Sequence, residues 1–222
     1  MTQKLLIETS TKICSAGLYS EDRLTAHKII HDESYVHAES LLPSIQDMLE
    51  LSGTGDSAID GVVVGAGPGS YTGLRIGTSL AKGICFGLGI PLYSIDSGQM
   101  FAALAKKNFP HQHRYVSVSD AGRMEAYIAI YDKDVNCLQS HNPVILDEDF
   151  FRQDLLQEAV FVGDGIEKCR HLMLPGQKHI SSFPDVTLIA AVLSLITIHP
   201  VNVSEYVPKY VKDYIPGKPK VK

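Results

Sequence analysis

The chain has no tryptophan, only 8% aromatic residues and four cysteines in 222 residues. Cys14, Cys85, Cys137 and Cys169 make no CxxC pair and no zinc-ligand spacing, which excludes a disulfide-stapled scaffold and a structural zinc site. No apolar run reaches the roughly 18 residues needed to span a bilayer. The longest, Val186–His199, reads as a core helix, so no membrane contact is expected. Basic excess is missing too: 20 Lys and Arg against 25 Asp and Glu leave a formal charge of −5, and the surface as a whole is no nucleic-acid magnet. The exception is the end, where Lys209–Lys222 holds five lysines against Asp213. That segment reads as a solvated terminus, with phosphate contact as the functional alternative. Also absent are GxSxG, HExxH and any defensible catalytic triad. Met1-Thr-Gln-Lys4 runs straight into a strand-like segment rather than a secretory leader, so a reducing cytoplasm is the expected compartment.

What is present is an alternation of strands and helices. Lys4–Glu8, Ile13–Tyr19 and Leu24–His31 read as strands, followed by a helix over about 37–51 with apolar residues at 3–4 spacing. A strand at Gly61–Gly65 precedes a glycine-bearing helix, Thr72–Leu88. Leu92–Ile95 is a strand and Ser97–Lys107 a helix capped by Asp96 or Ser97. After the polar break at 106–113 the order recurs. Strands are expected at Arg114–Ser119, Glu125–Tyr131 and Asn136–His141, then helical composition at Asp147–Glu158. A strand at Ala159–Val162, a weak helix at Gly165–Leu174, a strand at Lys178–Ser181 and a helix at Thr187–His199 complete the series. Each half therefore has β-β-β-α-β-α-β-α order, which predicts an α/β molecule of two lobes, 1–107 and 108–222, with face-covered sheets and a cleft between them.

The most informative segment is Val62–Gly89, in which a strand ends in a Pro/Gly loop and opens onto a helix carrying Gly73, Gly77, Gly83 and Gly87. Each glycine in a helix interior costs roughly 1 kcal/mol relative to alanine, so something must lie close to this helix. The loop 65–70 satisfies neither the Walker A pattern nor GxGxxG, and reads first as a tight turn. Gly73, Gly77 and Ala81 stand one turn apart beside Ile76, Leu80, Ile84 and Leu88, while Arg75, Ser79 and Lys82 make a polar side. That small strip suits either a helix from another subunit or the chain's own sheet. The hydroxyl-rich turn Glu8-Thr9-Ser10-Thr11-Lys12 and the turn Asp120–Arg123 of the second half are candidates for holding a phosphate or Mg²⁺; the competing reading is that the hydroxyls satisfy their own backbone.

Ile7-Glu-Thr-Ser-Thr11, His37-Ala-Glu-Ser-Leu-Leu-Pro43, Gly67-Pro-Gly-Ser-Tyr-Thr-Gly-Leu-Arg-Ile-Gly77, Ala81-Lys-Gly83 and Asp120-Ala-Gly-Arg-Met-Glu-Ala-Tyr127 together resemble the TsaB family, also called YeaZ. The resemblance is dense to about residue 131 and thinner beyond. It implies the actin/Hsp70/sugar-kinase-like (ASKHA) fold. It also implies a non-catalytic subunit that pairs with the catalytic TsaD, with the ATPase TsaE joining. Together they transfer a threonylcarbamoyl group to the adenosine beside the anticodon of tRNAs reading codons that begin with A. The partner surface implied is the first two helices, here through His37, Leu41, Leu42, Ile45, Gly73, Ile76, Gly77, Leu80, Ala81 and Ile84, with a homodimer as the alternative when the chain is alone. tRNA would be met through the complex. The expectation that follows is that Gly77→Leu blocks partner binding without unfolding the chain. Glu8, Thr9, Ser10, Thr11 and Asp120 become vestigial phosphate turns. No metal or resident cofactor is implied, and ATP or ADP with Mg²⁺ enters only as a weak or interface-bound ligand. Two positions depart from the family's pattern: Glu8 stands where many members have Asp, and Gly122 where they commonly have Arg. The competing function on the same superfold is an ATP-dependent small-molecule kinase.

Overall fold

The computed structural model describes residues 3–31, 37–55 and 58–212. Among these, the first half runs β1 (Gln3–Glu8), β2 (Ile13–Ser20), β3 (Arg23–His31), α1 (His37–Leu51), β4 (Gly61–Gly65), α2 (Tyr71–Leu88), β5 (Leu92–Ile95) and α3 (Ser97–Asn108). The second runs β6 (Arg114–Asp120), β7 (Glu125–Asp132), β8 (Cys137–Ile145), α4 (Glu148–Phe151), β9 (Val160–Gly163), α5 (Ile166–Cys169), β10 (Lys178–Ser181) and α6 (Val186–Val192), and β11 (Pro200–Val201) follows.

The two halves have one topology. The first sheet is ordered β11-β5-β4-β1-β2-β3 and the second β10-β9-β6-β7-β8. In each, the opening three strands are antiparallel and the next two add in parallel on the other side of the first strand. Parallel pairs require crossover connections, and the helices that supply them cover the sheet faces. Three apolar cores result. Helices α1 and α2 pack on one face of the first sheet around Leu5, Ile7, Leu41, Ile45, Val62 and Ala81. Helices α3 and α6 lie between the sheets with Phe101, Tyr115, Val160 and Ile189. Short α4 and α5 close the far face of the second sheet with Phe150, Phe151 and Phe161. This is the two-lobed ASKHA-like architecture.

Local chemistry explains the element ends. Ser70 Oγ accepts from the Gly73 N–H to open α2, and Gly89, at φ 67°, closes it with its N–H on the Cys85 carbonyl. Asp96 caps α3 through the Gln99 N–H, as expected. Three helical expectations need correcting. The 147–158 segment is one α-turn and a 3₁₀ turn, not a continuous helix, and 165–174 is similarly α5 plus a 3₁₀ turn. The helix expected to reach His199 stops at Val192, passes through a 3₁₀ turn at Leu193–Leu195 and becomes extended at Ile196. The β-branched run Ile196-Thr-Ile198 and Pro200, which disfavours helix at the residue before it, account for this. Residues 200–209 then return to the first sheet: β11 pairs with β5, and the Lys209 N–H donates to the Ala66 carbonyl. The division at 107/108 separates the two sheets in every strand but this one.

Candidate functional site

Two places collect the singled-out residues: the outer surface of α1 and α2, and the cleft between the lobes. On α2, the glycine strip faces the chain's own β1–β2 turn. A Cβ on Gly73 would sit 2.0 Å from the Thr9 carbonyl oxygen, and one on Gly77 would sit 2.3 Å from Thr9 Oγ1. That hydroxyl donates to the Gly73 carbonyl at 2.8 Å. Gly73, Gly77 and Ala81 are all buried. The two glycines are bare because the β1–β2 turn lies on them, and Ala81 is packed into the core beneath α2, so the assignment of these three to a partner surface is corrected, and with it the expected outcome of Gly77→Leu. Leu41 and Ile45 are likewise spent in the core beneath α1. The side chain of His37 lies outside the described residues, as do the tail lysines Lys218, Lys220 and Lys222.

Apart from His37, the rest of the expected set remains at or near the surface, joined by residues not assigned to that surface from the sequence. Leu42 is exposed, and Ile76, Leu80 and Ile84 are half-buried along the flank of α2. Gly83 and Gly87, in helical phase with Ile76 and Leu80, have nothing within 4 Å of an added Cβ. Ser79, Gly83 and Gly87 therefore make a second small strip, and this one faces outward. Beside it Phe86 is 86% exposed, and Leu51 at the end of α1 is 82% exposed. Phe86 shares the phase of Arg75, Ser79 and Lys82. The signal for it in the sequence is an aromatic ring on the polar side of the helix.

The cleft measures about 710 Å³ and is lined by Ser10, Thr11, Lys12 and Ser70 from the first lobe and by Asp120, Gly122, Tyr127 and Asp164 from the second. The turns β1–β2 and β6–β7 thus meet across it, as the duplicated topology requires. Their chemistry is unequal. Glu8 is fully buried beneath its turn, with Oε1 accepting from the Ser10 N–H at 2.7 Å and Oε2 without a partner. Gly65 leaves room for it, since a Cβ there would fall 1.9 Å from Oε2. Burial pushes the Glu8 carboxyl above its ordinary pKa, against the lowering effect of its bonds to Ser10. Thr9 is held by α2, and the Ser10 carbonyl takes the Ser70 N–H at 2.6 Å. Ser10, Thr11 and Lys12 of that turn line the cleft; the Ser10 hydroxyl is buried without a partner, and Thr11 Oγ1 accepts from the Ile13 N–H.

On the opposite wall Asp120 accepts from the Gly122 N–H at 2.7 Å and pairs with Lys168. Asp164 accepts from the Asp120 N–H, and burial together with the neighbouring Asp120 charge raises its carboxyl to about 7. Gly122 sits at φ 81° with open space around it, a backbone setting that favours glycine. Among the described residues no group of three or more His, Cys, Asp or Glu side chains converges as a metal site. No described helix is long and apolar enough to cross a membrane.

The relatives decide the family. Residues 31–193 match the family model described as "TsaD: tRNA N6-adenosine threonylcarbamoyltransferase". The tRNA threonylcarbamoyladenosine biosynthesis protein TsaB of Escherichia coli K12 is 35% identical over 133 residues, covering 60% of this chain and 56% of that protein. The protein of the same name from Bacillus subtilis is 30% identical over 154 residues, 69% of this chain and 64% of its own. The chain belongs to the TsaB/YeaZ family. Its alignments span between about half and two thirds of the length of these curated relatives. The solved structure of YeaZ from Pseudomonas aeruginosa superposes with a TM-score of 0.70 at 24% identity, covering 95% of this chain and all of that one, so the TsaB/YeaZ fold extends through both lobes.

Proposed function

We propose that the chain is a non-catalytic subunit in threonylcarbamoylation of tRNA adenosine, and that it binds a TsaD-type transferase through the outward face of α1 and α2. TsaE and tRNA would join through that complex, and a homodimer would use the same face when the transferase is absent. The observation that carries this reading is the outward strip Ser79, Gly83 and Gly87 with Phe86 beside it. Open backbone lets another helix approach closely, and an exposed aromatic is the usual anchor of an interface. The relatives' names support the pathway, and the match of the transferase model to this chain supports a partner of the same fold. The cleft supports the non-catalytic half of the proposal. Its first-lobe carboxylate is turned inward and two of its three hydroxyl residues are bound into structure.

Reconstitution tests the proposal. Transferase, TsaE, tRNA and a threonylcarbamoyl donor are assayed with and without this chain. Modification that depends on the chain, with Phe86→Asp failing to support it, is the expected result; full modification without the chain would overturn it. The kinase reading draws on Asp120, Asp164 and Lys12 in the cleft. Calorimetry with ATP and Mg²⁺ on the isolated chain separates the two, since micromolar binding there favours the kinase.

A further inference from the structure

The segment after β11 touches both the proposed partner helix and the junction between the lobes. Lys82 of α2 donates through Nζ to the carbonyls of Ser204 and Tyr206, each at 3.0 Å. The Tyr206 ring packs against the core under α1 and α2. Three residues on, the Lys209 N–H holds the Ala66 carbonyl at 2.9 Å, and its Nζ lies 2.7 Å from Asp96 Oδ2. Asp96 is only 13% exposed and has further obligations. Its Oδ1 accepts from the Gln99 N–H, from the Tyr131 hydroxyl at 3.0 Å and meets His141 Nε2 at 3.0 Å.

Tyr131 and His141 belong to β7 and β8 of the second lobe. They press so closely on the first turn of α3 that a Cβ on Gly98 would lie 2.6 Å from His141 Cε1 and 2.7 Å from the Tyr131 oxygen. One carboxylate thus joins the first lobe, the second lobe and the C-terminal segment. With only two residues in β11, that segment depends on its side-chain anchors more than on sheet pairing. Lys212 adds a pair to Glu125, but both partners are about a third or more exposed and the pair contributes little.

We infer that residues 200–212 form a cross-brace which couples the outer helix α2 to the lobe junction at Asp96, so that an occupant of α2 is felt at Tyr131 and His141. The sense given to the occupant rests on the function proposed above; the brace itself does not. A buried junction with two lobes and a strap on one acceptor has few arrangements that satisfy every group, and loss of one anchor opens the others locally.

Hydrogen exchange on the full chain tests this. Lys209→Met is expected to speed amide exchange about tenfold in 127–131 and 139–142. Lys82→Met, which touches neither segment, is expected to speed the same amides about threefold together with 202–207. The double variant should be no faster than Lys209→Met alone, because both act on one path. Segment 148–172, on the far face, should be unchanged in all three. A Lys82→Met effect confined to 202–207 would overturn the brace, as would equal acceleration of every segment. Adding the partner gives a separate arm. Slowed exchange at 139–142 in the wild type but not in Lys209→Met supports the coupling. Slowed exchange on α2 with no change at 139–142 in the wild type overturns it. Absence of any change on α2 contradicts the partner reading, and the brace then stands or falls on the three variants of the chain alone.

Discussion

Two glycine-to-alanine substitutions on one helix should move stability in opposite directions. At Gly73 the new Cβ would stand 2.0 Å from the Thr9 carbonyl oxygen. That atom is backbone, held between the β1 ladder and the buried Thr9 side chain, and cannot retreat without dragging the turn off α2. Overpacking a filled interior costs about 1–3 kcal/mol, and loss of the Thr9–Gly73 hydrogen bond leaves a buried hydroxyl unsatisfied for about 1–3 kcal/mol more. The alanine propensity gain of at most about 1 kcal/mol does not offset this. Gly73→Ala is therefore expected to lose about 2–4 kcal/mol. At Gly83 an added Cβ meets nothing within 4 Å, so only the propensity gain remains and Gly83→Ala should gain about 0.5–1 kcal/mol. Urea unfolding at constant m-value measures both. Wild-type stability in Gly73→Ala, or a loss in Gly83→Ala, would refute the division of this helix into an inner and an outer glycine strip.

Glu8→Gln should remove a pH dependence. The raised Glu8 carboxyl favours the folded state below the ordinary carboxylate range, and that advantage is lost as pH climbs toward the folded value, at about 1.4 kcal/mol per unit within the window. The variant should match the wild type at low pH and exceed it at neutral pH in thermal melts. Asp96 has the opposite sign. Burial alone would raise it, but the hydrogen bond and charge of His141, then Lys209, hold it well below the usual range. Asp96→Asn should cost about 2–4 kcal/mol at neutral pH, with the difference shrinking as acid titrates the wild type below pH about 3.8.

Much of the fold was legible because its signals were local. Helix 37–51 stands where its 3–4 apolar spacing put it, the short strand Lys178–Ser181 lies where it was expected, and the repeated element order corresponds to two lobes of one design. What failed was decided at a distance. The third strand of the second half was expected to end at His141, yet β8 continues through Pro143 to Ile145; it lies at the sheet edge, where a missing N–H is tolerated. The return of Pro200–Val201 to the first sheet has no signature in its own residues. The glycine helix taught the same lesson about the site. Its sequence announced that something must lie close but not what, and the nearest glycines proved to receive Thr9. The outward strip was hidden because Arg75, Ser79 and Lys82 mark that side of the helix as polar, with Phe86 as the exception among them.

The most direct measurement is titration of the purified chain into a TsaD-type transferase by calorimetry, using Gly83→Leu and Phe86→Ala, each first shown to be folded. Engagement through the outer face predicts that Gly83→Leu loses binding by roughly 100-fold or more and that Phe86→Ala loses about 30-fold, the effect of an anchor contributing about 2 kcal/mol. Wild-type affinity in folded Gly83→Leu would contradict the claim that α1 and α2 present their outward face to a partner.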